Sequence, residues 1–426
     1  MPGKSFRPGI GPPVASALMG LLVDTTPLRI SADFRRLWIG QAISFVGSMM
    51  TTAALPFQVF HQTGSSVAVG LLGLAQLAPL LVFALVGGAF ADSVDKRRLL
   101  LGVTTAALCC SGCLALNASL SHPQLWPLYV LGAASSAVFA VSYPVLRSLL
   151  PLLLEDDLRP AAYALQSTYG SFGMMAGPAV AGLLIAGVGL TVTYVADVGT
   201  YLVALLVFSR IAPSPPVAGG VRASRASVLE GLRFLRGTTV VHIFGIDLLA
   251  MVFGMPRALF PALTQRLGGG PTLYGLLLSS VAGGAFLASL ASGWTAHVRR
   301  QGAAVLVAVG VWGTTIAIAG LIRVPVLVMV MLAGAGAADM ISGVYRSTIA
   351  AAVTRDEMRG RVSGVEFAVY AGGPMLGDVE AGVVGGLAGL PFAMVSGGVA
   401  CVIAAAVYAA KVPSVARYVR PSAPVS

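Results

Sequence analysis

Six carboxylates stand within otherwise apolar stretches of this chain of 426 residues: Asp197, Asp247, Asp339, Glu366, Asp378 and Glu380. An ionised side chain at the centre of a bilayer costs about 2.5–3.5 kcal/mol even on the mildest insertion scale. A desolvated carboxyl group can also bind a proton near neutral pH. If these stretches cross a membrane, the six acids are candidates for carrying protons or for facing a polar pathway.

The spacing of three of these acids predicts different roles for them. Asp339 and Arg346 lie seven residues apart, which is two helical turns on one face, so a structural ion pair competes with proton carriage. Asp378 and Glu380 would point about 200° apart on a helix, so both cannot face one cavity. One is expected to face the pathway, and the other a neighbouring helix or Arg257.

Asp247 is expected near mid-membrane, because it lies about nine residues, or roughly 14 Å, into its predicted helix. Our hypothesis is that Asp247 and one of the pair Asp378 and Glu380 couple proton entry to substrate release. Structural polar contacts with Arg257 are the open alternative. For Asp197, the interpretation is hydrogen bonding to neighbouring helices.

The composition indicates which elements must position these side chains. The chain is 57% hydrophobic and only 10% charged, with a mean hydropathy of +0.87, whereas soluble chains average about 25% charged residues. Neither residues 66–91 nor residues 99–146 contain a charge. Since about 20 apolar residues span a bilayer once, the pattern predicts an all-α integral membrane protein without enzymatic activity.

The apolar runs predict twelve transmembrane helices. Their expected extents are 37–60, 66–91, 99–120, 126–150, 160–186, 190–211, 238–265, 272–297, 302–322, 325–351, 361–387 and 389–410.

Positive charge predicts the orientation, because Lys and Arg are retained on the cytoplasmic side. With the N-terminus inside, all 27 Lys and Arg fall in cytoplasmic segments or at inner helix ends except Arg257, Arg266 and Arg323. Both termini are therefore expected in the cytoplasm. The net charge of +11 is then explained by the retention of basic residues on the cytoplasmic side, and no nucleic-acid partner is expected.

Metal ions, cofactors and nucleotides are not expected as partners. Cys109, Cys110 and Cys113 share one predicted helix without a nearby His or carboxylate, which favours apolar packing over a metal site. Cys401 stands alone in another predicted helix. The sequence has no G-x-x-x-x-G-K-[ST] motif, and residues 1–30 lack the order of a signal peptide.

The two halves of the chain repeat each other. At an offset of 205, Gly70 and Gly88 match Gly275 and Gly293. Separately, "RSLLPLLLEDDLR" at 147–159 matches "RSTIAAAVTRDEMR" at 346–359 with one insertion. At an offset of 200, "GMMAGPAVAG" matches "GPMLGDVEAG", so one helix-packing motif occurs twice. It comprises Gly173, Gly177, Pro178 and Gly182 in the first copy and Gly373, Gly377 and Gly382 in the second. Asp378 and Glu380 match Pro178 and Val180, so the acids occur in one half alone.

This duplication predicts the organisation of the chain. We expect a cytoplasmic segment at 1–33, six-helix bundles at 34–211 and 237–410, a linker at 212–236 and a cytoplasmic tail at 411–426. Two homologous bundles with a binding site between them are typical of a rocking transporter.

The loop "GGAFADSVDKRR" at 87–98 resembles the signature loop of the major facilitator superfamily, G-x-x-x-D-[RK]-x-G-[RK]-[RK]. Gly88 and Asp92 match this pattern, as does the basic run Lys96, Arg97 and Arg98. Ser93 and Asp95 depart from it, standing where a basic residue and a glycine are usual.

The resemblance implies the major facilitator fold, with two pseudo-symmetric six-helix halves. It also implies a cytoplasmic gate in which Asp92 faces the N-terminus of helix 11, near 359–363. An ordinary charged loop is the alternative. Glu366 could belong to the gate network or be solvated.

A narrower resemblance extends from about residue 34 to 387. Over this range the chain is similar to bacterial exporters that include the enterobactin (siderophore) exporter, with macrolide and tetracycline efflux pumps as relatives. The similar segments are "FRRLWIGQAISFVGSMM", "YPVLRSLLPLLL", "GPAVAGLLI", "YVADVGTYL", "GMPRALFPAL" and "MRGRVSG".

That resemblance implies export of a siderophore or similar small natural product driven by proton antiport, and the direction comes from it alone. The alternatives are a broad multidrug efflux pump and a non-transporting membrane scaffold or receptor. The expected partners are a small organic substrate, protons and the lipid bilayer. A monomer in the bacterial cytoplasmic membrane is expected.

Overall fold

The structure is a computed structural model that describes residues 24–213, 238–355 and 358–419, with the backbone alone at 85–93 and 359–361. Within these ranges the regular structure is entirely helical. Twelve main helices follow one another: α1 Ala32–Thr63, α2 Ser66–Ser93, α3 Lys96–Ser119, α4 Trp126–Leu153, α5 Arg159–Gly187, α6 Leu190–Phe208, α7 Thr239–Gly254, α8 Pro271–Leu290, α9 Gln301–Leu321, α10 Pro325–Val353, α11 Arg359–Ala388 and α12 Leu390–Lys411. The predicted all-α class is confirmed.

Eleven helical segments of the described chain are long and apolar enough to cross a membrane. They include every element above except α11, which has 30 residues and is therefore long enough. Its many glycines and three acids leave the described part of α11 without a stretch as apolar as those of the other segments. The protein is therefore a multi-pass membrane protein.

Two predicted helices differ from the observed ones. The helix predicted at 238–265 is broken: α7 ends at Gly254, and the chain continues as a 3-10 turn at Arg257–Leu259 and a short helix at Phe260–Arg266. Pro256 is responsible, because a residue that precedes proline is disfavoured in the helical region, and Met255 is non-helical at φ −115° and ψ 76°.

The helix predicted at 272–297 ends early, at Leu290, and is followed by a 3-10 segment at Ser292–His297. The hydroxyls of Ser289, Ser292 and Thr295 each donate to a carbonyl three residues back. Such local hydrogen bonds compete with the regular helix.

The bundle has two ends. We call the end with the turns at Gly64, 120–125, 188–189 and 322–324 the outer end, and the end with the turns at 94–95 and 154–158 the inner end. These names follow the sides that the charge count predicts. Gly189 and Gly389, which are 200 residues apart, form equivalent turns with φ of 91° and 86°. The left-handed backbone at both turns favours glycine.

Helix pairing repeats in the two halves. In the first, α1 packs on α5 and α6, α2 on α4, and α3 on α4 and α6. In the second, α7 packs on α11 and α12, α8 on α10, and α9 on α10 and α12. The halves meet mainly through α2 with α11 and through α5 with α8. The predicted linker at 212–236 falls almost wholly outside the described residues.

Candidate transport pathway and its charged residues

A charged cluster joins α7 to α10. The Arg346 guanidinium contacts Asp247 Oδ1 through Nη1, and its Nη2 lies 3.4 Å from Asp339 Oδ1. Ser342 Oγ, one turn before Arg346, accepts from the same guanidinium at 3.2 Å. The ion pair between Asp339 and Arg346 is present, as their spacing suggests. The contact with Asp247 was not predicted, because periodicity relates residues on one helix only.

The two acids of the cluster differ in access. The Asp247 side chain is 8% exposed and that of Asp339 is 37% exposed. A cavity of about 10 Å³, lined also by Met251 and Trp312, lies against the three charged side chains. This volume holds about one water molecule. The cavity therefore leaves room for about one water molecule beside a buried ion pair.

A second ion pair lies at the break in α7. Arg257 Nη2 donates to Asp378 Oδ2 at 2.8 Å, and the backbone N–H of Ala258 donates to Asp378 Oδ1 at 3.0 Å. The Trp312 indole N–H donates to the Gly254 carbonyl at 2.8 Å on the other side of the break. The sequence left open a contact with Arg257 for either Asp378 or Glu380, and the structure shows this contact for Asp378.

Glu380 lies on a different face of α11. Leu376, Val383 and Leu387, at helical spacing from it, are all exposed, and Glu380 itself is half-buried. Among the described residues it has neither an ion pair nor a hydrogen bond. The structure therefore places Asp378 against α7 and Glu380 on an exposed face of α11, and the two side chains point in different directions, as their 200° separation predicts.

Asp197 lies in the core of the first half. Its Oδ2 accepts from Thr51 Oγ1 and from Ser111 Oγ, both at 2.6 Å, and its Oδ1 accepts from Thr200 Oγ1 at 3.2 Å. Thr51 is on α1, Ser111 on α3 and Asp197 on α6, so one carboxylate connects three helices. This is the hydrogen bonding that the sequence interpretation expects.

The gate motif is described in part. Gly88 and Asp92 lie in α2, and the basic pair at 359 and 361 begins α11, but these side chains are outside the described residues. Asp95 caps α3 by accepting from the Arg98 N–H at 2.8 Å, which explains an acid at the family's glycine position.

The structure describes the contacts or the burial of three further residues of the predicted gate. The Arg97 guanidinium donates to the Ser209 carbonyl, Lys96 is buried and Glu366 is half-buried in α11. The Asp92 gate stays a prediction.

The packing-motif glycines allow close contact between helices. A Cβ on Gly173 or Gly177 would collide with Phe45 or Met49 of α1. One on Gly377 would collide with the Met251 carbonyl oxygen of α7, and one on Gly373 would lie tightly against the Met251 side chain. Gly182 and Gly382 contact α8 and α2, respectively, across the two halves. Pro178 packs against Gly275. The motif therefore serves packing within each half and between them.

One aromatic contact between the halves was missed from the sequence. The rings of Tyr143 in α4 and Phe367 in α11 stack at 4.6 Å between centroids, with 25° between their planes. The Arg147 guanidinium lies 5.1 Å above the Tyr143 ring. Tyr370, one turn after Phe367, is exposed. No local pattern marks this group, since its rings come from different halves.

Twelve helices in two equivalently paired halves, with buried ion pairs inside the bundle, define a secondary transporter of the major facilitator type. Solved transporters have the same fold. A POT family transporter in complex with 5-aminolevulinic acid aligns with a TM-score of 0.72 at 10% identity, over 90% of this chain and 97% of that one. The nucleoside transporter NupG also aligns with a TM-score of 0.72, at 12% identity over 88% and 98%.

The chain belongs to the transmembrane secretion effector family, whose pattern matches residues 23–425. Members are transporters, not enzymes. Curated relatives include the enterobactin exporters EntS of Shigella boydii serotype 18 and Escherichia coli O139:H28. Each is 29% identical over 378 residues, which cover 86% of this chain and 88% of the relative.

Proposed function

We propose that this transporter exports a siderophore or a similar small natural product from a bacterial cell, driven by protons that move inward. It acts by alternating access in the cytoplasmic membrane, with both termini in the cytoplasm. The export direction and the substrate rest on the similarity to the enterobactin exporters. Proton coupling rests on the cluster of Asp247, Arg346 and Asp339.

The charge balance of this cluster supports proton coupling. One guanidinium faces two carboxylates, so the cluster carries one excess negative charge when both acids are ionised. Charge within a membrane is costly, and binding one proton removes the excess. We assign the exchangeable proton to Asp339 on geometry: its contact with Arg346, at 3.4 Å, is the longer of the two, and its side chain is the more accessible, while Asp247 holds Arg346.

Proton binding at Asp339 changes how α7 and α10 are joined. With Asp339 ionised, Arg346 is shared between the two helices' acids. With Asp339 protonated, the attraction between Arg346 and Asp339 weakens, and Arg346 pairs with Asp247 alone. This exchange links proton occupancy to the relative position of two helices, as coupled transport requires. Glu380 is the second carboxylate that we assign to the proton route, nearer the outer end.

Transport by purified protein in liposomes tests the coupling. We expect Asp339→Asn, Asp247→Asn and Glu380→Gln to lose accumulation driven by a pH gradient. Asp339→Asn should still exchange substrate down its own gradient, because the amide mimics the protonated acid. Asp156→Asn, at an exposed acid of the inner turn, is the matched control and should transport normally. Normal gradient-driven transport by Asp339→Asn would contradict the proposal.

The substrate is tested with the same liposomes. Siderophores and a set of macrolides and tetracyclines are supplied separately under one pH gradient. Transport of siderophores alone supports the proposal. Transport of the drugs at equal rates supports the multidrug alternative. Transport of neither, together with normal binding to a partner protein, supports the scaffold alternative.

A further inference from the structure

The break in α7 depends on one carboxylate of another helix. Non-helical backbone at membrane depth is tolerated only where its polar groups find partners. Both oxygens of Asp378 are used at the break, one by the Ala258 N–H and one by the Arg257 guanidinium. Asp378 therefore connects α11 to the joint between α7 and the short helix Phe260–Arg266.

Asp378 also lies where the two halves meet. A Cβ on Gly73 of α2 would come within 3.0 Å of Asp378 Cβ, and one on Gly70 within 2.7 Å of the Asp378 carbonyl oxygen. Gly70 is in turn against Gly382, since a Cβ on Gly382 would be 2.9 Å from Gly70 Cα. We call this contact of α2 with α11 near the outer end the first seam.

The duplicated contact of α5 with α8 is the second seam, and it provides an internal comparison. There a Cβ on Gly275 would collide with the Pro178 carbonyl oxygen. Gly275 matches Gly70, and Pro178 matches Asp378. The second seam thus packs closely without an acid, and α1, the counterpart of α7, runs unbroken from Ala32 to Thr63. Seam packing alone does not require Asp378.

Other contacts close the same region between the halves. The Tyr274 hydroxyl of α8 donates to the Ala53 carbonyl of α1 at 2.9 Å, and the rings of Tyr274 and Phe57 lie 5.2 Å apart. Ala53 is 2% exposed and belongs to a hydrophobic cluster shared by both halves. The outer part of the pathway is therefore closed in this conformation.

We infer that Arg257 and Asp378 form a latch that holds the jointed outer part of α7 against α11 while the outer end is closed. The pair is released when α2 and α11 separate at the first seam, and the broken backbone is the joint about which Phe260–Arg266 moves. Both are positioning residues, since they act on a helix. The inference rests on alternating access in the proposed function, but not on proton coupling.

Access to the closed region tests the latch. Ala53→Cys is introduced as a probe, and right-side-out vesicles are treated with a membrane-impermeant maleimide. We expect Asp378→Asn and Arg257→Gln each to raise the labelling rate at residue 53 about fivefold, because the closed state loses the pair. Leu376→Ala, on the exposed face of α11, is the matched control and should leave the rate unchanged.

Coupling between the two residues is the decisive measurement. The double variant Asp378→Asn with Arg257→Gln should label at the rate of a single variant, because the same interaction is lost once. Native Cys401, which is 0% exposed, reports unfolding in the same samples. The latch is refuted by unchanged labelling at residue 53, by an equal rise at Cys401, or by additive effects in the double variant. Since no proton gradient is applied, this result and the liposome test can fail independently.

Discussion

At the scale of single residues, the surroundings of each membrane acid decide its role. Asp197 accepts three hydroxyl hydrogen bonds and is fully buried. Asp378 is held by a guanidinium and a backbone N–H. Asp339 shares Arg346 with Asp247 and remains partly exposed. Only the last arrangement leaves a carboxylate both near water and able to change partners.

Asp197 is expected to contribute to stability. Asp197→Ala leaves the hydroxyls of Thr51 and Ser111 buried without their acceptor, which costs about 1–3 kcal/mol per unsatisfied group. We expect the free energy of unfolding to fall by at least about 2 kcal/mol, measured as a lower thermal transition of the purified protein. Thr52→Ala is the control, because the Thr52 hydroxyl bonds to the Ser48 carbonyl of its own helix. An unchanged transition for Asp197→Ala would exclude this structural role.

At the scale of elements, glycines set how closely the halves approach. Both seams bring backbone against backbone, at Gly70 with Gly382 and at Gly182 with Gly275. A side chain at these positions would have no space, whereas Gly283 of α8 has Met175 Sδ at 3.8 Å, an ordinary contact. The two seams therefore depend on glycine at particular positions, not on glycine content.

This difference gives a matched pair of substitutions on one helix. We expect Gly275→Ala to reduce transport to about a tenth or less, because overpacking costs about 1–3 kcal/mol and the clash is with backbone. Gly283→Ala should transport normally. The measurement is initial transport rate normalised to the amount of protein in the membrane. Equal rates for the two variants would show that the close approach at the second seam is dispensable.

At the scale of the whole molecule, the duplication is nearly symmetric in packing and asymmetric in charge. The turns at Gly189 and Gly389 and the helix pairs repeat. The ion pairs of Asp247, Asp339 and Asp378 all belong to the second half. We therefore expect the first half to act as a scaffold and the second half to contain the charges that respond to protons.

The predicted orientation of the whole molecule is tested by labelling from one side. Ser121→Cys places a thiol in the turn between α3 and α4, and Glu155→Cys places one between α4 and α5; both positions are exposed. Because Lys and Arg are retained inside, an impermeant maleimide should label residue 121 in right-side-out vesicles and residue 155 only in inverted ones. The reverse pattern would overturn the orientation.

Much of the fold follows from the sequence, because hydropathy acts locally. The exceptions have local causes that a hydropathy count overlooks. Pro256 breaks α7 inside an apolar run, and hydroxyls end α8 early at Leu290. For the site, the pairing of Asp339 with Arg346 follows from helical spacing, whereas the contact of Arg346 with Asp247 does not.

The sequence by itself determined the membrane class, the duplicated glycine motif and the opposite directions of Asp378 and Glu380, since each follows from periodicity or repetition along the chain. Only the tertiary structure decided the partners. Arg257 and Asp378 are 121 residues apart, and their contact exists because α7 breaks where α2 and α11 meet. Arg346 reaches Asp247 because α10 packs beside α7. Distances between helices depend on packing of the whole bundle, which no local pattern records.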